Sequence, residues 1–321
     1  MAVGAPAIAI CRLIRPHKPW QKVLRGVNSN GRTTACAGLR KVTMANGSVM
    51  SLAAKLAETN PFLWKLAWEA TCRLPFLLPH DKSYYALRHF IKATPNGLFL
   101  DIGANDGISV RSFRKLDKDY SILCLEPNLL LEPKLRRIQL SDPHMSYRMV
   151  GAGSRTGRVR FFVPCYRGIA LHTFTAADEN QVRLAVASCF GDSVAEKTEF
   201  VTVESELIRG DDLHVDPTII KIDAEGFDYD ILAGLCDTIA RCRPYIMVEV
   251  TLDENDQISK LLTQFGYCLL SYDRNSDVFD SEAESYSARE TGHRNMFAIP
   301  NEKRAQVPIR KTRELIVPTP D

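Results

Sequence analysis

The sequence predicts an α/β fold in which helices cover a mostly parallel β-sheet. From residue 98 onward, apolar β-branched runs alternate with amphipathic runs, a pattern typical of strand–helix–strand units. The strand predicted over 98–101 leads directly into a glycine-spaced turn that ends at Gly107 and opens a helix. With 45% hydrophobic and 25% charged residues among 321, the chain has the composition of a globular protein with a buried core.

The first half of the chain alternates regularly between helices and strands. An N-cap candidate followed by proline at 59–61 indicates a helix that carries Trp64 and Trp68, and a second helix is predicted over 82–92. Further on, the expected strands span 98–101, 120–125 and 146–150, and the expected helices span 108–116 and 128–139.

The pattern changes after Gly151. Runs 158–163 and 199–203 alternate as antiparallel strands do. A long internal span without strong periodicity is uncommon unless it is functional, so we interpret 165–197 as a lid insertion over the substrate, with a short helix near 182–190. The α/β pattern then resumes with strands 218–222, 245–250, 267–272 and 295–299 and helices 228–241 and 254–265.

Charge is distributed unevenly along the chain. Residues 1–57 hold nine Lys or Arg and no acid, which leaves 32 basic and 38 acidic residues elsewhere. This balance argues against a nucleic-acid surface on the α/β domain. We predict a disordered extension over 1–57, an N-terminal helical segment over 58–96, the α/β domain over 97–300 and a loose tail over 301–321. A transit peptide is the second interpretation of the basic extension, followed by binding of anionic lipid or nucleic acid.

The cysteine pattern and the apolar segments suggest a cytoplasmic location, or an organellar one if the extension is a transit peptide. Nine cysteines form no CxxC pair and are odd in number, which does not suit a disulfide framework. The apolar stretch 2–11 is too short to span a bilayer, so we predict no transmembrane segment and at most peripheral membrane contact. No spacing typical of a zinc site occurs.

The turn after the first strand has the features of a cofactor-binding turn. Gly103 and Gly107 allow backbone angles and a close ligand approach that a side chain would block. Asp101 and Asp106 add carboxylates, whereas a dinucleotide turn presents a helix N-terminus to an anionic pyrophosphate. Two carboxylates suit a ligand with cationic groups, such as the sulfonium and ammonium of S-adenosylmethionine. For Asp106, capping of the helix is the structural alternative.

Glu126 ends the second predicted strand, 25 residues after Asp101. An acid at this place can accept hydrogen bonds from the two hydroxyls of a ribose. The predicted cofactor site comprises Asp101, Gly103, Asn105, Asp106, Gly107, Glu126, Pro127 and Gly151.

Five motifs resemble, in the same order, those of FkbM-type methyltransferases. They are Asp101–Gly107, Leu125–Pro127, Ile220–Gly226, Ile231–Gly234 and Pro244–Glu249. The pairing of the first and third motifs is much more specific than either motif alone, and the resemblance covers residues 81–300. Asp228 stands where the family more often has Glu, and the first 80 residues have no counterpart.

The resemblance implies a Rossmann-like class I methyltransferase fold with a seven-strand, mostly parallel sheet whose last strand is antiparallel. It also implies S-adenosylmethionine as the cofactor and O-methylation as the reaction. The expected acceptor is a small molecule or a glycan, with its hydroxyl on a sugar, a glycoconjugate or a polyketide-type metabolite.

Four acids are predicted at or near the carboxyl ends of strands, namely Asp101, Glu126, Asp223 and Glu249. Ligands of doubly wound sheets bind beyond these ends, so the strands are expected to gather all four around one crevice. We place the acceptor pocket between the lid insertion and the strand ends that carry Asp223 and Glu249.

A positioned base would assist methyl transfer to a hydroxyl, which ionises poorly near neutral pH. The candidates are His172, Asp223 and Glu225, with His172 first because of the intrinsic pKa of histidine. An ordinary surface role is the alternative for His172. Lys221 is expected to reach solvent or to pair with an acid. Oxygen ligands from Asp223, Glu225 and Glu249 suit a divalent cation, but their spacing does not require one, and no metal site is predicted.

Two other functions stay open from the residues alone. A nicotinamide-dependent oxidoreductase would need a third glycine in a GxGxxG arrangement, which this turn lacks. A non-catalytic module with the same fold would dock on a membrane or a partner through the basic extension and the helix of Trp64 and Trp68.

Overall fold

The computed structural model describes residues 79, 81–224, 226–251, 255–280 and 293–310. The predicted helix of Trp64 and Trp68 and the basic extension 1–57 lie outside these ranges.

The strands, numbered in chain order, are β1 Leu98–Ile102, β2 Ser121–Leu125, β3 Met145–Arg148, β4 Gly151–Gly153, β5 Gly157–Tyr166, β6 Ile169–Ala170, β7 Glu199–Arg209, β8 Ile219–Ile222, β9 Tyr245–Thr251, β10 Tyr267–Asp273, β11 Val278–Asp280 and β12 His293–Pro300. The α-helices are α1 Leu87–Ala93, α2 Ile108–Phe113, α3 Glu132–Ser141, α4 Glu179–Phe190, α5 Asp192–Glu196, α6 Asp228–Gly234, α7 Cys236–Cys242 and α8 Asn255–Gln264.

The large sheet has the strand order β11-β10-β12-β9-β8-β1-β2-β3. Strands β9, β8, β1, β2 and β3 are mutually parallel, whereas β12 runs antiparallel to both of its neighbours. This arrangement confirms the predicted mostly parallel sheet with an antiparallel last strand. The short strand β11, which pairs antiparallel with β10, adds an eighth strand that the sequence pattern did not indicate.

Helices cover both faces of the large sheet because successive strand residues point to opposite faces. Phe99 of β1 lies in the apolar cluster that contains residues of α1, α2 and α3. Leu100 lies in the cluster that contains residues of α6, α7 and α8. Asp101 therefore faces the same side as Phe99, toward α1–α3. None of the helices in the described ranges combines the length and the apolar character that a bilayer crossing requires.

A smaller sheet with the order β4-β7-β5-β6 follows the first three strands of the large sheet. Its central pair, β5 and β7, is antiparallel as predicted. Both strands are longer than the predicted 158–163 and 199–203. Cross-strand pairs such as Arg160 with Glu204, 2.6 Å apart, join the two strands.

The insertion 165–197 forms a packed unit with its own apolar cluster, which includes Leu171, Phe174 and Val186. Helix α4 begins at Glu179, before the predicted 182, because the Asp178 side chain accepts hydrogen bonds from the backbone N–H groups of residues 180 and 181. The short helix α5 was missed by the prediction.

Several predicted segments differ in detail. The helix predicted over 128–139 begins at Glu132 and is preceded by a 3-10 turn, since Pro133 occupies its first turn. The helix predicted over 228–241 is two helices that meet at Leu235. The prediction of a loose tail was wrong for residues 301–310, where Val307 is buried and Ile309 bridges to Phe279. Residues 311–321 lie outside the described ranges.

Candidate active site

The carboxyl ends of four parallel strands meet at one edge of the large sheet. Ile102 of β1 pairs with Leu125 of β2 and with Ile222 of β8, and Ile222 pairs with Val248 of β9. The residues that follow these four form one row across the sheet, which we call the strand-end row: Glu126, Gly103, Asp223 and Glu249. Three of the four predicted acids therefore lie in this row, with Gly103 between Glu126 and Asp223, while Asp101 lies two residues deeper.

The turn at the centre of this row requires glycine at two positions. Gly103 and Gly107 both have φ +79°, which favours glycine. A Cβ on Gly103 would collide with the carbonyl oxygen of Asp223, and one on Gly107 would collide with the side chain of Ile138. The backbone N–H of Gly103 donates to the carbonyl oxygen of Leu125 at 3.0 Å. The turn is thus packed tightly between β2 and β8.

Glu126 is held at the β2 end of the row by two backbone amides. Its Oε2 accepts from the N–H of Asn105 at 2.7 Å, and its Oε1 accepts from the N–H of Asn128 at 2.8 Å. Asn105 reaches this position with a left-handed φ of 51°. Only 6% of the residue is exposed, and burial raises the pKa of Glu126 to about 7 although both amides favour the ionised form. The carboxylate is therefore fixed in direction and partly desolvated.

Lys221 connects Gly103 and Asp223, in the middle of the row, with the deeper residue Asp101. Its Nζ donates to the carbonyl oxygen of Gly103 at 2.9 Å and lies 3.3 Å from Asp101 Oδ1 and 3.3 Å from Asp223 Oδ2. Its side chain is only 4% exposed. Burial opposes its charge, but the carboxylates of Asp223 and Asp101 outweigh burial and keep the pKa of Lys221 well above its usual value. Of the two expectations for Lys221, pairing with acids is the one that the structure shows.

The carboxylate of Asp101 is directed at protein groups. The residue is fully buried, accepts a hydrogen bond from the Ser109 hydroxyl and lies 3.8 Å from the Cys124 thiol. Its Oδ1 makes an ion pair with Lys221 but receives no directed hydrogen bond. In this arrangement Asp101 supports the turn from below and does not line the crevice.

Asp106 is paired with basic side chains. Its carboxylate lies 3.2 Å from an Arg111 nitrogen and 3.8 Å from Lys134 Nζ. The capping alternative for Asp106 was wrong, because helix α2 has Gly107 at its N-cap and no capping hydrogen bond from a side chain.

Pro127 and Gly151 lie together at the Glu126 end. Gly151 is buried in β4, and a Cβ on it would lie 3.5 Å from Pro127 Cβ and 3.1 Å from Leu207 Cδ1. These two predicted residues therefore pack against each other.

His172 also lies at the Glu126 end. Its Nδ1 is 3.3 Å from the amide nitrogen of Asn128, the residue whose backbone N–H binds Glu126. Burial, reinforced by the charge of Lys134 and opposed by that of Asp106, lowers the pKa of His172 to about 4. The structure thus brings His172 to the side opposite Asp223 and Glu249. Glu225, the third predicted base, lies outside the described residues.

The other end of the row carries a cluster of polar side chains. Half-buried Glu249 pairs in register with Asn295 of β12. The Asn295 side-chain amide donates to Asp81 Oδ2 at 2.9 Å and to the Ser83 hydroxyl at 3.0 Å. Sequence reasoning missed Asp81 and Asn295, although the Asp-Lys-Ser run at 81–83 is a recognisable cap at the start of a helical turn. Within the described ranges, no group of three or more His, Cys, Asp or Glu side chains is arranged to hold a metal ion.

Comparison with known protein families bears on what this edge of the sheet does. The model of the FkbM methyltransferase domain matches residues 101–269, just over half of the chain. The chain belongs to the FkbM methyltransferase family. The match runs from Asp101 near the end of β1 into β10, so it includes all four residues of the strand-end row. It favours a methyltransferase over the nicotinamide-dependent alternative.

Solved structures with similar folds are distant in sequence from this chain. An FkbM methyltransferase from Methylobacillus flagellatus KT is 14% identical with a TM-score of 0.41, and the match covers 72% of this chain and 60% of that one. A precorrin-6y C5,15-methyltransferase from Geobacter metallireducens GS-15 is 12% identical with a TM-score of 0.36, over 69% of this chain and 89% of that one. The Methanococcus jannaschii fibrillarin pre-rRNA processing protein is 10% identical with a TM-score of 0.33, over 63% and 65%.

This chain therefore spans less than two thirds of the length of the Methylobacillus protein. No curated protein sequence matches it. The fold is the Rossmann-like class I methyltransferase fold that the sequence predicted, with the β12 strand inserted antiparallel.

Proposed function

We propose that this chain is an S-adenosylmethionine-dependent O-methyltransferase that acts on a hydroxyl of a sugar, a glycoconjugate or a polyketide-type metabolite. The strand-end row supports the proposal, because it places a buried carboxylate at one end and half-exposed polar groups at the other. The single observation that carries most weight is the environment of Glu126.

Glu126 fits the ribose of an adenosyl cofactor. Each of its oxygens accepts one backbone N–H, and a carboxylate oxygen has capacity for a further hydrogen bond. A carboxylate that is 6% exposed is costly unless donors surround it. Two neighbouring hydroxyls would supply those donors. The donor set and the burial therefore suit a diol at this position.

The remaining predicted cofactor residues would act in two ways. Gly103, Asn105 and Gly107 would shape the turn at which the cofactor lies, and Pro127 with Gly151 would form the apolar support beside the nucleoside. We assign Asp101 and Asp106 indirect roles, since the first holds Lys221 and the second pairs with basic side chains. When bound, S-adenosylmethionine supplies a methyl group activated by its sulfonium.

We assign the base to Asp223. Its side chain is 38% exposed at the end of β8 and lies beside the cofactor turn. Its ion pair with Lys221 holds one oxygen in place, and the carboxylate can accept a hydrogen bond from an acceptor hydroxyl. Proton removal by a positioned base normally accelerates such a reaction by about 100- to 10,000-fold.

The polar cluster beyond Glu249 supports an acceptor that carries several hydroxyls. Asp81, Ser83 and Asn295 already bond to one another and retain acceptor and donor capacity. Such groups orient a polyhydroxylated ligand better than an apolar one.

The test uses the full-length protein with S-adenosylmethionine labelled in its methyl group and a panel of oligosaccharides and hydroxylated metabolites. We expect label in a product that resists alkali, as an ether does. Glu126→Ala should weaken binding of S-adenosylhomocysteine by about 1–3 kcal/mol. A wild-type protein that binds neither adenosyl compound, or label found only in nitrogen-linked or alkali-labile products, would contradict the proposal.

A further inference from the structure

His172 sits where the insertion meets the nucleoside end of the cleft. The residue begins the short 3-10 turn His172–Phe174. The next residue but one, Phe174, and the preceding Leu171 are both buried in the apolar cluster of the insertion, and the N–H of Leu171 donates to the Pro164 carbonyl oxygen at 2.8 Å. The imidazole is therefore carried by a packed support and not by an open loop.

Among the described residues, the groups that contact or act on the His172 ring lie near the Glu126 end of the row. Its Nδ1 contacts the Asn128 amide, and the charges that act on the ring are those of Lys134 and Asp106. Asp106 belongs to the cofactor turn, and Asn128 bonds Glu126 through its backbone.

The hydrogen bonds of Asn128 determine which ring nitrogen carries the proton. Asn128 Oδ1 accepts from the backbone N–H of Leu130 at 3.1 Å, so its amide nitrogen is the group that faces His172. An amide nitrogen only donates, and Nδ1 of the imidazole must therefore accept. In the neutral ring the proton then lies on Nε2, which points away from Asn128.

We infer that His172 is a nucleoside-binding residue, whose Nε2–H donates a hydrogen bond to the adenosyl part of the cofactor. This inference rests on the proposed function. It changes the role predicted from the sequence, because an Nε2 that already holds a proton cannot remove one from an acceptor. With a pKa of about 4, the ring stays neutral and keeps this single donor throughout the physiological range.

Calorimetric titration of S-adenosylhomocysteine into the full-length protein tests the inference. We expect His172→Ala to weaken binding about 3- to 10-fold, the usual range for one neutral hydrogen bond. The matched control is His144→Ala, which removes an exposed histidine and should bind like the wild type. If the wild type binds and His172→Ala binds with the same affinity, the inference is overturned but the proposed function stands. If the wild type does not bind, the proposed function is overturned.

Nitrogen-15 NMR of the labelled imidazole provides a readout that does not depend on the ligand. We expect His172 to carry its proton on Nε2 and to stay neutral down to pH 5. Asn128→Asp replaces the facing donor with an acceptor, and the ring proton should then appear on Nδ1. A wild-type ring protonated on Nδ1, or a His172→Ala variant that loses turnover by 100-fold or more with unchanged cofactor affinity, would return His172 to the role of base.

Discussion

The two ends of the strand-end row are held in different ways. Glu126 is fixed by backbone amides, which do not depend on the identity of the residues that carry them. At the other end, Glu249 neighbours Asn295, which is held by the side chains of Asp81 and Ser83. Those three residues lie outside the matched range 101–269. The comparison indicates that the Glu126 end, where we propose that the cofactor binds, is held by the backbone. The Glu249 end, where we propose that the acceptor binds, is held by side chains that can change without disturbing the fold.

Lys221 contacts two neighbouring positions of the row. Its Nζ donates to the carbonyl oxygen of Gly103 and pairs with the carboxylate of Asp223, the proposed base. Substitutions at Lys221, Asp223 and Glu126 should therefore affect three different properties: stability, turnover and the pH dependence of cofactor affinity.

The largest effect is expected from Lys221→Met, which leaves the fully buried Asp101 carboxylate without a counter-charge. Breaking a buried ion pair from one side costs about 3–5 kcal/mol, and urea unfolding of the full-length protein would measure the loss. Lys134→Met is the matched control, because that lysine is 49% exposed and its ion pair with Asp106 is long, at 3.8 Å. This substitution should lower the free energy of unfolding by less than about 1 kcal/mol. Adding Asp101→Asn to Lys221→Met should recover part of the stability. A Lys221→Met protein as stable as the control would show that the pair contributes nothing.

The second largest effect is expected on turnover, which should depend on Asp223 while cofactor affinity should not. Asp223→Asn preserves the shape and the backbone hydrogen bond to Ile102 but removes the proposed base. Turnover should fall about 100-fold or more, with the affinity for S-adenosylhomocysteine within about threefold of wild type. Single-turnover methyl transfer on the acceptor identified above would measure the rate. Asp212→Asn, an exposed acid beyond the opposite end of β8, serves as the control. Near-normal turnover in Asp223→Asn would remove it from the reaction.

The smallest effect concerns pH at the Glu126 end. The folded protein holds the pKa of Glu126 at about 7, above its ordinary value of 4.5, so its contribution to stability is present below pH 4.5 and is lost as pH rises through 7. Ribose hydroxyls favour the ionised form of Glu126, so cofactor affinity should rise up to about pH 7 and then level off. If the pKa falls by one unit on binding, the total rise in affinity is no more than about tenfold. Titrations of S-adenosylhomocysteine at pH 6, 7 and 8 would show this rise. The same rise in Glu126→Gln would assign it to another group.

Much of the row was predictable because it depends on local pattern. Apolar runs that end in an acid place Glu126 and Asp223 at strand ends, and parallel pairing then aligns them. The ion pairs of Lys221 could also have been predicted from the sequence. A lysine inside an apolar strand that is buried on both faces has to pair with acids, and the nearest candidates were Asp101 and Asp223.

The contacts that could not be predicted join distant parts of the chain. Asn295 and Asp81 are 214 positions apart, and no local periodicity relates them. The path of the insertion, which decides whether His172 faces the cofactor or the acceptor, depends on how Leu171 and Phe174 pack. Periodicity assigns residues to elements, but side-chain packing over long sequence separations decides which end of the site an element reaches.

The position of β12 imposes an order on how the sheet can be assembled during translation. β12 lies between β9 and β10, although β10 is synthesised first. A nascent chain that has just completed β10 therefore contains a strand without its neighbour and a β9 with a bare edge. Such edges pair readily with other chains, and partly made α/β proteins are prone to misassembly for this reason. Until residues 293–300 are made, a growing chain exposes the edges of both β9 and β10 that β12 later fills.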